Sequence, residues 1–403
     1  MKVARTSHSK ARPSHALALL LVLTGFRADA APAELNIEIA GPPAAIFDVS
    51  KNACGVFTMP DINARAFRDD QGRTHLFALD QENRSFVGPT LSEVAPTCES
   101  SLPSGEKADP ATFDGRRYIT STWTSDGRAI AALVHDEYHA ETHPGRCATS
   151  NALACWYNTI IAARSSDGGA HFEPASPLVV AAAPFRQNVD QTRHRGFFNP
   201  SNMFAGPGGV YVFTSTTGWP GQDAGACLLR NPDPLEPAGW RGFDGTGFFA
   251  RWSNPYRSSR GADPCQPIKP FGYPVGAVVR HRPSGLYLAI WEQPKIEGRT
   301  PFGVFPVAGF YLATSRDLIA WSDPSLFLPT PIVHQPCGLH EENRDGVTLA
   351  YPSLLDEKAQ GRNYDNVGNS AWLYVTRIAM DGCNPGARRV LMRRAVRIET
   401  VRP

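Results

Sequence analysis

Ala129-Ile-Ala-Ala-Leu-Val134 runs without a break into His135-Asp-Glu-Tyr-His139, and a second apolar run, Asn158-Thr-Ile-Ile-Ala-Ala163, ends in Ser165-Ser-Asp-Gly-Gly-Ala-His-Phe172. Side chains alternate between the two faces of a strand, so His135, Glu137 and His139 project together from the end of a segment that began as core. Such a strand starts in the interior and finishes at a rim facing solvent or a ligand. The Asp126-Gly127 pair ahead of it marks a turn from a preceding strand, Tyr118-Ile-Thr-Ser-Thr-Trp123.

The same plan recurs on both sides. Pro60-Asp-Ile-Asn-Ala-Arg-Ala-Phe67 turns through Asp69-Asp-Gln-Gly72 into Thr74-His-Leu-Phe-Ala78. Phe198–Phe204 turns at Gly206-Pro-Gly-Gly209 into Val210-Tyr-Val-Phe-Thr214, and the unit reaches Trp240. Ala277-Val-Val-Arg-His281 leads to Leu286-Tyr-Leu-Ala-Ile-Trp291 and closes with Gly309–Trp321. Tyr351-Pro-Ser-Leu-Leu355 is followed by Ala371-Trp-Leu-Tyr-Val-Thr376 and Arg389–Ile398. Five units of short strands predict an all-β, five-bladed β-propeller, because a small twisted sheet cannot bury both faces alone. A lone strand at residues 33–39 is expected to close the ring by pairing with residues 389–398. A β-sandwich is the competing architecture, and its units would be shorter.

Residues 1–30 read as a signal peptide: a basic start (Lys2, Arg5, Lys10, Arg12), an apolar run from Ala16 to Leu23, and Ala28-Asp-Ala30 as a small-x-small cleavage site. The remainder, residues 31–403, is expected to be one domain, periplasmic or extracellular. The whole chain carries 40 basic and 38 acidic residues; without residues 1–30 the counts are 35 and 37. The basic excess belongs to the leader, so no nucleic-acid partner has electrostatic support, and no later apolar run is long enough for membrane insertion. All eight cysteines follow the leader, which in an exported chain argues for disulfides. Cys147 and Cys155 are the expected short-loop pair.

Ser165-x-Asp167-x-Gly169-x-x-Phe172 resembles the Asp-box of sialidases, and Ser315-x-Asp317-Leu318-x-x-Trp321 is similar to the corresponding turn of arabinanase, xylosidase and fructosidase propellers. With Pro60-Asp-x-x-x-Arg-Ala-Phe67, His135-x-Glu-Tyr-His139, Asn199-Pro-Ser-Asn202 and Tyr351-Pro-Ser-Leu-Leu-Asp356, nearly all of residues 31–403 resembles exported bacterial five-bladed glycosidases. The resemblance implies a funnel that admits a carbohydrate, with Asp61 at the place of the general base. It also implies an Asp where this chain has Asn199, and an acid in the fourth unit, for which Glu292 is the candidate.

Glycoside hydrolysis needs one carboxyl group to protonate the departing oxygen and another to activate water or attack carbon. The expected pair is Asp61 as base or nucleophile and Glu137 as acid, its pKa raised by burial beside His135 and His139. Arg65, four residues after Asp61, is expected on the same strand face, binding an acidic sugar or fixing Asp61. Trp123, Tyr138, His139, Asn199 and Tyr351 are the expected substrate-binding side chains. No cofactor is expected, although His135-x-Glu137-x-His139 could hold zinc or calcium if the strand bends. The expected partner is a carbohydrate, taken by a monomer. A lyase with a His or Tyr base and a non-catalytic carbohydrate-binding propeller are the alternatives.

Overall fold

The computed structural model describes Met1 and residues 34–401, except 56, 150, 185–193, 259–260, 334–345 and 383. The leader beyond Met1, and Cys337 and Cys383, lie outside the described residues. The described chain is nearly all β, and helix is confined to single turns such as Val49–Asn52. No described helix is long and apolar enough to cross a membrane.

The expected strands are present, together with short outer ones. Pro60–Arg68, Thr74–Leu79, Ser85–Gly88 and Ala95–Pro96 form a four-stranded sheet in that order. Arg116–Trp123, Ile130–His139, Trp156–Ser165 and Glu173–Ala182 form the second unit. It merges with the third, around Gly209–Thr216 and Gly225–Asn231, because Arg195–Phe198 bonds to both. Val275–His281, Tyr287–Gln293, Gly309–Ser315 and Ser325–Pro329 make the fourth. Val347–Leu355, Ser370–Asp381 and Asn384–Val401 make the last. Glu34–Ile39 lies on the outer edge of that last sheet, with Glu34 opposite Val401 and Ile39 opposite Val396.

The inner strands contact one another from unit to unit. Pro60–Arg68 touches Arg116–Trp123 on one side and Val347–Leu355 on the other, and Val275–His281 touches both Val347–Leu355 and Gly209–Thr216. Five apolar clusters fill the spaces between neighbouring units. Phe67 and Phe77 with Ile119 and Ile161 lie between the first and second, and Leu133 and Ile160 with Phe197 and Val212 between the second and third. Phe213 with Phe271 and Trp291, Ile290 with Leu373, and Phe86 with Tyr374 occupy the other three. Strands covered on both faces carry near-continuous apolar runs, which is why Val210-Tyr-Val-Phe-Thr214 lacks alternation.

Both turns singled out by sequence bond as their residues dictate. Asp167 Oδ1 accepts the His171 N–H at 3.1 Å, and Asp317 Oδ1 accepts those of Ile319 and Ala320 at 3.0 and 2.8 Å. Phe172 packs edge-on against Phe77 and Trp321 against Phe271, so both rings belong to the core.

Three disulfides join described cysteines: Cys54–Cys98, Cys147–Cys155 and Cys227–Cys265. Cys147–Cys155 closes the short loop that leads into Trp156. Replacing both cysteines by serine is expected to lower stability by about 2–3 kcal/mol, from the entropy of an unconstrained loop of this length. Urea denaturation of the double variant measures it.

Candidate active site

One cleft of about 820 Å³ opens where the inner strands of several units converge. Asp61 reaches it from the first unit; Arg116, Tyr118, His135, Glu137, His139 and Trp156 from the second; Asn199 from the third; Tyr351 and Arg389 from the last. Two of these residues stand in the left-handed region, Asn199 at φ 48° and Tyr351 at φ 61°. Each precedes a proline, which removes a backbone donor, and the strand is interrupted there. In Val347–Leu355 the register shifts between Ala350 and Ser353. Non-glycine residues held at such angles store strain of roughly 1–3 kcal/mol, and they concentrate at functional sites.

Asp61 is gripped on one oxygen. Arg389 Nη1 pairs with Oδ1, and the Tyr351 hydroxyl donates to the same atom at 2.9 Å. Burial pushes the Asp61 carboxyl above its ordinary range, and Arg389 and Tyr351 oppose that shift without cancelling it. The Tyr351 backbone N–H is held by Glu292 Oε1. Glu292 itself lines a recess of about 20 Å³ beneath the cleft, shared with Asn63, Asn199 and Tyr351. Its carboxylate therefore fixes Tyr351 instead of standing in the cleft as an acid.

Glu137 sits between two histidines. His139 Nε2 is 3.2 Å from Oε2, and His135 Nε2 is 3.8 Å from Oε1. Asn158 donates Nδ2 to the Arg195 carbonyl at 3.1 Å, which turns its Oδ1 toward His135 to accept Nε2–H at 2.8 Å. Burial raises the Glu137 pKa, but the hydrogen bond from His139 and the positive fields of His135, His139 and Arg116 outweigh it, and the net shift is downward. The expectation of a raised Glu137 is thus reversed, because the groups around it favour the carboxylate more than burial disfavours it. Burial pulls His135 the other way, toward its neutral form.

Aromatic rings wall the cleft on one side. Trp156 stacks on His139 at 4.9 Å, His194 tilts against Trp156 at 5.0 Å, and Phe198 meets His194 edge-on at 5.2 Å. Among the described residues, no three His, Cys, Asp or Glu side chains are grouped so as to hold a metal ion. The nitrogens of His135 and His139 address different oxygens of Glu137, not a common point.

Three sequence-predicted residues lie elsewhere. Arg65 is buried below the cleft, donating to the carbonyls of Thr120 at 2.6 Å and Pro200 at 3.0 Å and to Ser353 Oγ at 3.1 Å. A register shift between Pro60 and Arg65 breaks the alternation that would have set it beside Asp61. Trp123 packs against the core at the far end of its strand, because Arg116–Trp123 begins at the cleft and runs away from it. Tyr138 lies on the opposite face from Glu137 and donates to the Ala108 carbonyl at 3.0 Å.

Asp136 shares that opposite face. It is buried, no described group bonds its Oδ2, and burial raises its pKa to about 7. An acid at about 7 when folded and 3.8 when unfolded binds the extra proton in the folded state between those values. Its cost to stability therefore grows as pH rises from about 4 to 7 and is complete above. Asp136→Asn is expected to be more stable than the parent at pH 8, by roughly 1–3 kcal/mol, with the difference vanishing near pH 4. Parallel urea titrations at the two pH values test this.

No protein-family model matches the chain, and no curated protein matches it. Among solved structures, an α-L-arabinanase from Cellvibrio cellulosa is similar at 12% identity over 82% of this chain and 91% of that one, with a TM-score of 0.44. A glycosyl hydrolase from Bacteroides ovatus is similar at 9% identity over 91% and 96%, with a TM-score of 0.46. An exo-β-1,3-galactanase from Phanerochaete chrysosporium is similar at 12% identity over 89% and 64%, with a TM-score of 0.42. Chemistry must be read from the cleft's own side chains.

Proposed function

We propose that the chain is an exported glycoside hydrolase on a five-bladed β-propeller, closed by the strand Glu34–Ile39 in the last blade. The cyclic contacts of the inner strands and the five inter-unit cores support the ring. The disulfides and the basic–apolar leader support export.

One observation carries the activity. Asp61 and Glu137, contributed by different units, line the same cleft, and their surroundings push their proton affinities apart. A pair so divided suits acid–base work on one bond. The roles are the reverse of those the sequence suggested. Glu137, held ionised, takes the proton of an attacking water or attacks the anomeric carbon. Asp61 is the acid, and its Oδ2, which neither Arg389 nor Tyr351 engages, is the oxygen that passes a proton to the departing glycosidic oxygen. Trp156 and Tyr118 are aromatic parts of the cleft lining, which suits packing against sugar rings, and a cleft of this size suits a ligand of a few sugar units.

The test is incubation of the purified chain with a panel of neutral and acidic oligosaccharides. New reducing ends without ultraviolet absorbance support hydrolysis. A product absorbing in the ultraviolet would assign elimination, and tight binding without any product would assign a carbohydrate-binding role.

A further inference from the structure

Among the described residues that line the cleft, one guanidinium has no direct partner. The lining holds two carboxylates, Asp61 and Glu137, two guanidiniums, Arg116 and Arg389, and three imidazoles, His135, His139 and His194. Asp61 is held by Arg389, and Glu137 by His139, whose other ring nitrogen bonds Glu141 at 2.9 Å. Arg116 acts on Glu137 only as a nearby positive charge. It stands across from Glu137 in the strand register, its side chain is exposed at the cleft wall, and among the described residues no hydrogen bond or ion pair engages its guanidinium.

An idle arginine inside a concave, aromatic-walled site presents a planar fork of donors that fits a carboxylate two-for-two. Holding it beside Asp61, Glu137 and Tyr118 with its donors unengaged makes sense if the ligand brings an anionic group to it. We propose that the cleft selects an acidic saccharide, one whose sugar adjacent to the reacting bond bears an anionic group that docks on Arg116. A uronate carboxylate suits the planar fork, and a sulfate ester offers the same charge with different geometry. The proposal rests on the saccharide-cleft reading and names its substrate class.

Binding, not turnover, is the measurement. Calorimetric titration of the parent protein and of Arg116→Gln and Arg116→Lys uses three probes of matched length: oligogalacturonate, its neutral galacto-oligosaccharide counterpart, and a sulfated galacto-oligosaccharide. The parent is expected to bind an acidic probe about tenfold or more tightly than the neutral one, with that preference lost in Arg116→Gln and partly kept in Arg116→Lys. Preference for the sulfated probe alone supports the anion site and assigns it to sulfate. Equal binding of acidic and neutral probes, no binding of any, or a preference that survives Arg116→Gln overturns the proposal. Acidic binding with no product in the turnover assay leaves this inference standing and removes hydrolysis. Hydrolysis of neutral probes without acidic preference does the opposite.

Discussion

Glu137→Gln is expected to lower turnover by about 10²–10⁴-fold while leaving oligosaccharide binding nearly unchanged. The amide has the same shape as the carboxylate and still accepts a hydrogen bond from His139. It cannot take a proton from water or form a bond to carbon. The same change carries a pH signature in stability. Because the folded pKa of Glu137 lies below its ordinary 4.5, the ionised group contributes stability above that pH that is lost as pH falls through the folded value. The variant should therefore melt a few degrees below the parent at pH 7, with the gap closing as pH falls through the folded value. Reducing-end assays and paired melts check both halves, and unchanged turnover would remove Glu137 from the chemistry.

The second large effect concerns stability. Arg65→Met is expected to cost about 3–5 kcal/mol, because three acceptors from different units lose their donor at once in a dry interior. Thr120 O, Pro200 O and Ser353 Oγ belong to the second, third and last units, and Arg65 to the first, so one side chain ties four inner strands together. Burial pulls its pKa to about 9, which still leaves it charged at neutral pH. Arg65→Lys should recover little, since one ammonium on a flexible stem cannot span the three acceptors. A change in denaturation midpoint worth less than about 1 kcal/mol would show that the axis does not depend on Arg65.

The repeating units were legible because each opens with apolar runs bounded by Gly or Asp turns, and turn chemistry is local. Outer strands such as Glu173–Ala182 were not. Glu-Pro-Ala-Ser-Pro reads as loop, and only an edge position tolerates its prolines. Within the cleft, the face shared by His135, Glu137 and His139 followed from strand alternation on a run anchored in the core. Arg116 carries a weaker signal, visible only once its strand is set in register opposite Glu137. Arg389 carries none, because it meets Asp61 across 328 residues of chain. Arg65 and Trp123 were misplaced for geometric reasons: a bulge cancels same-face spacing, and composition does not say which end of a strand faces the ligand.

The pairing of Glu34–Ile39 with residues 396–401 joins segments far apart in sequence, so its loop-closure cost is among the largest in the fold. Pairing over so long a stretch of chain is intrinsically slow to form, so the edge of Asn384–Val401 that receives Glu34–Ile39 is exposed while the chain folds. Deleting residues 34–39 is expected to leave that edge open in the folded sheet and the protein prone to self-association.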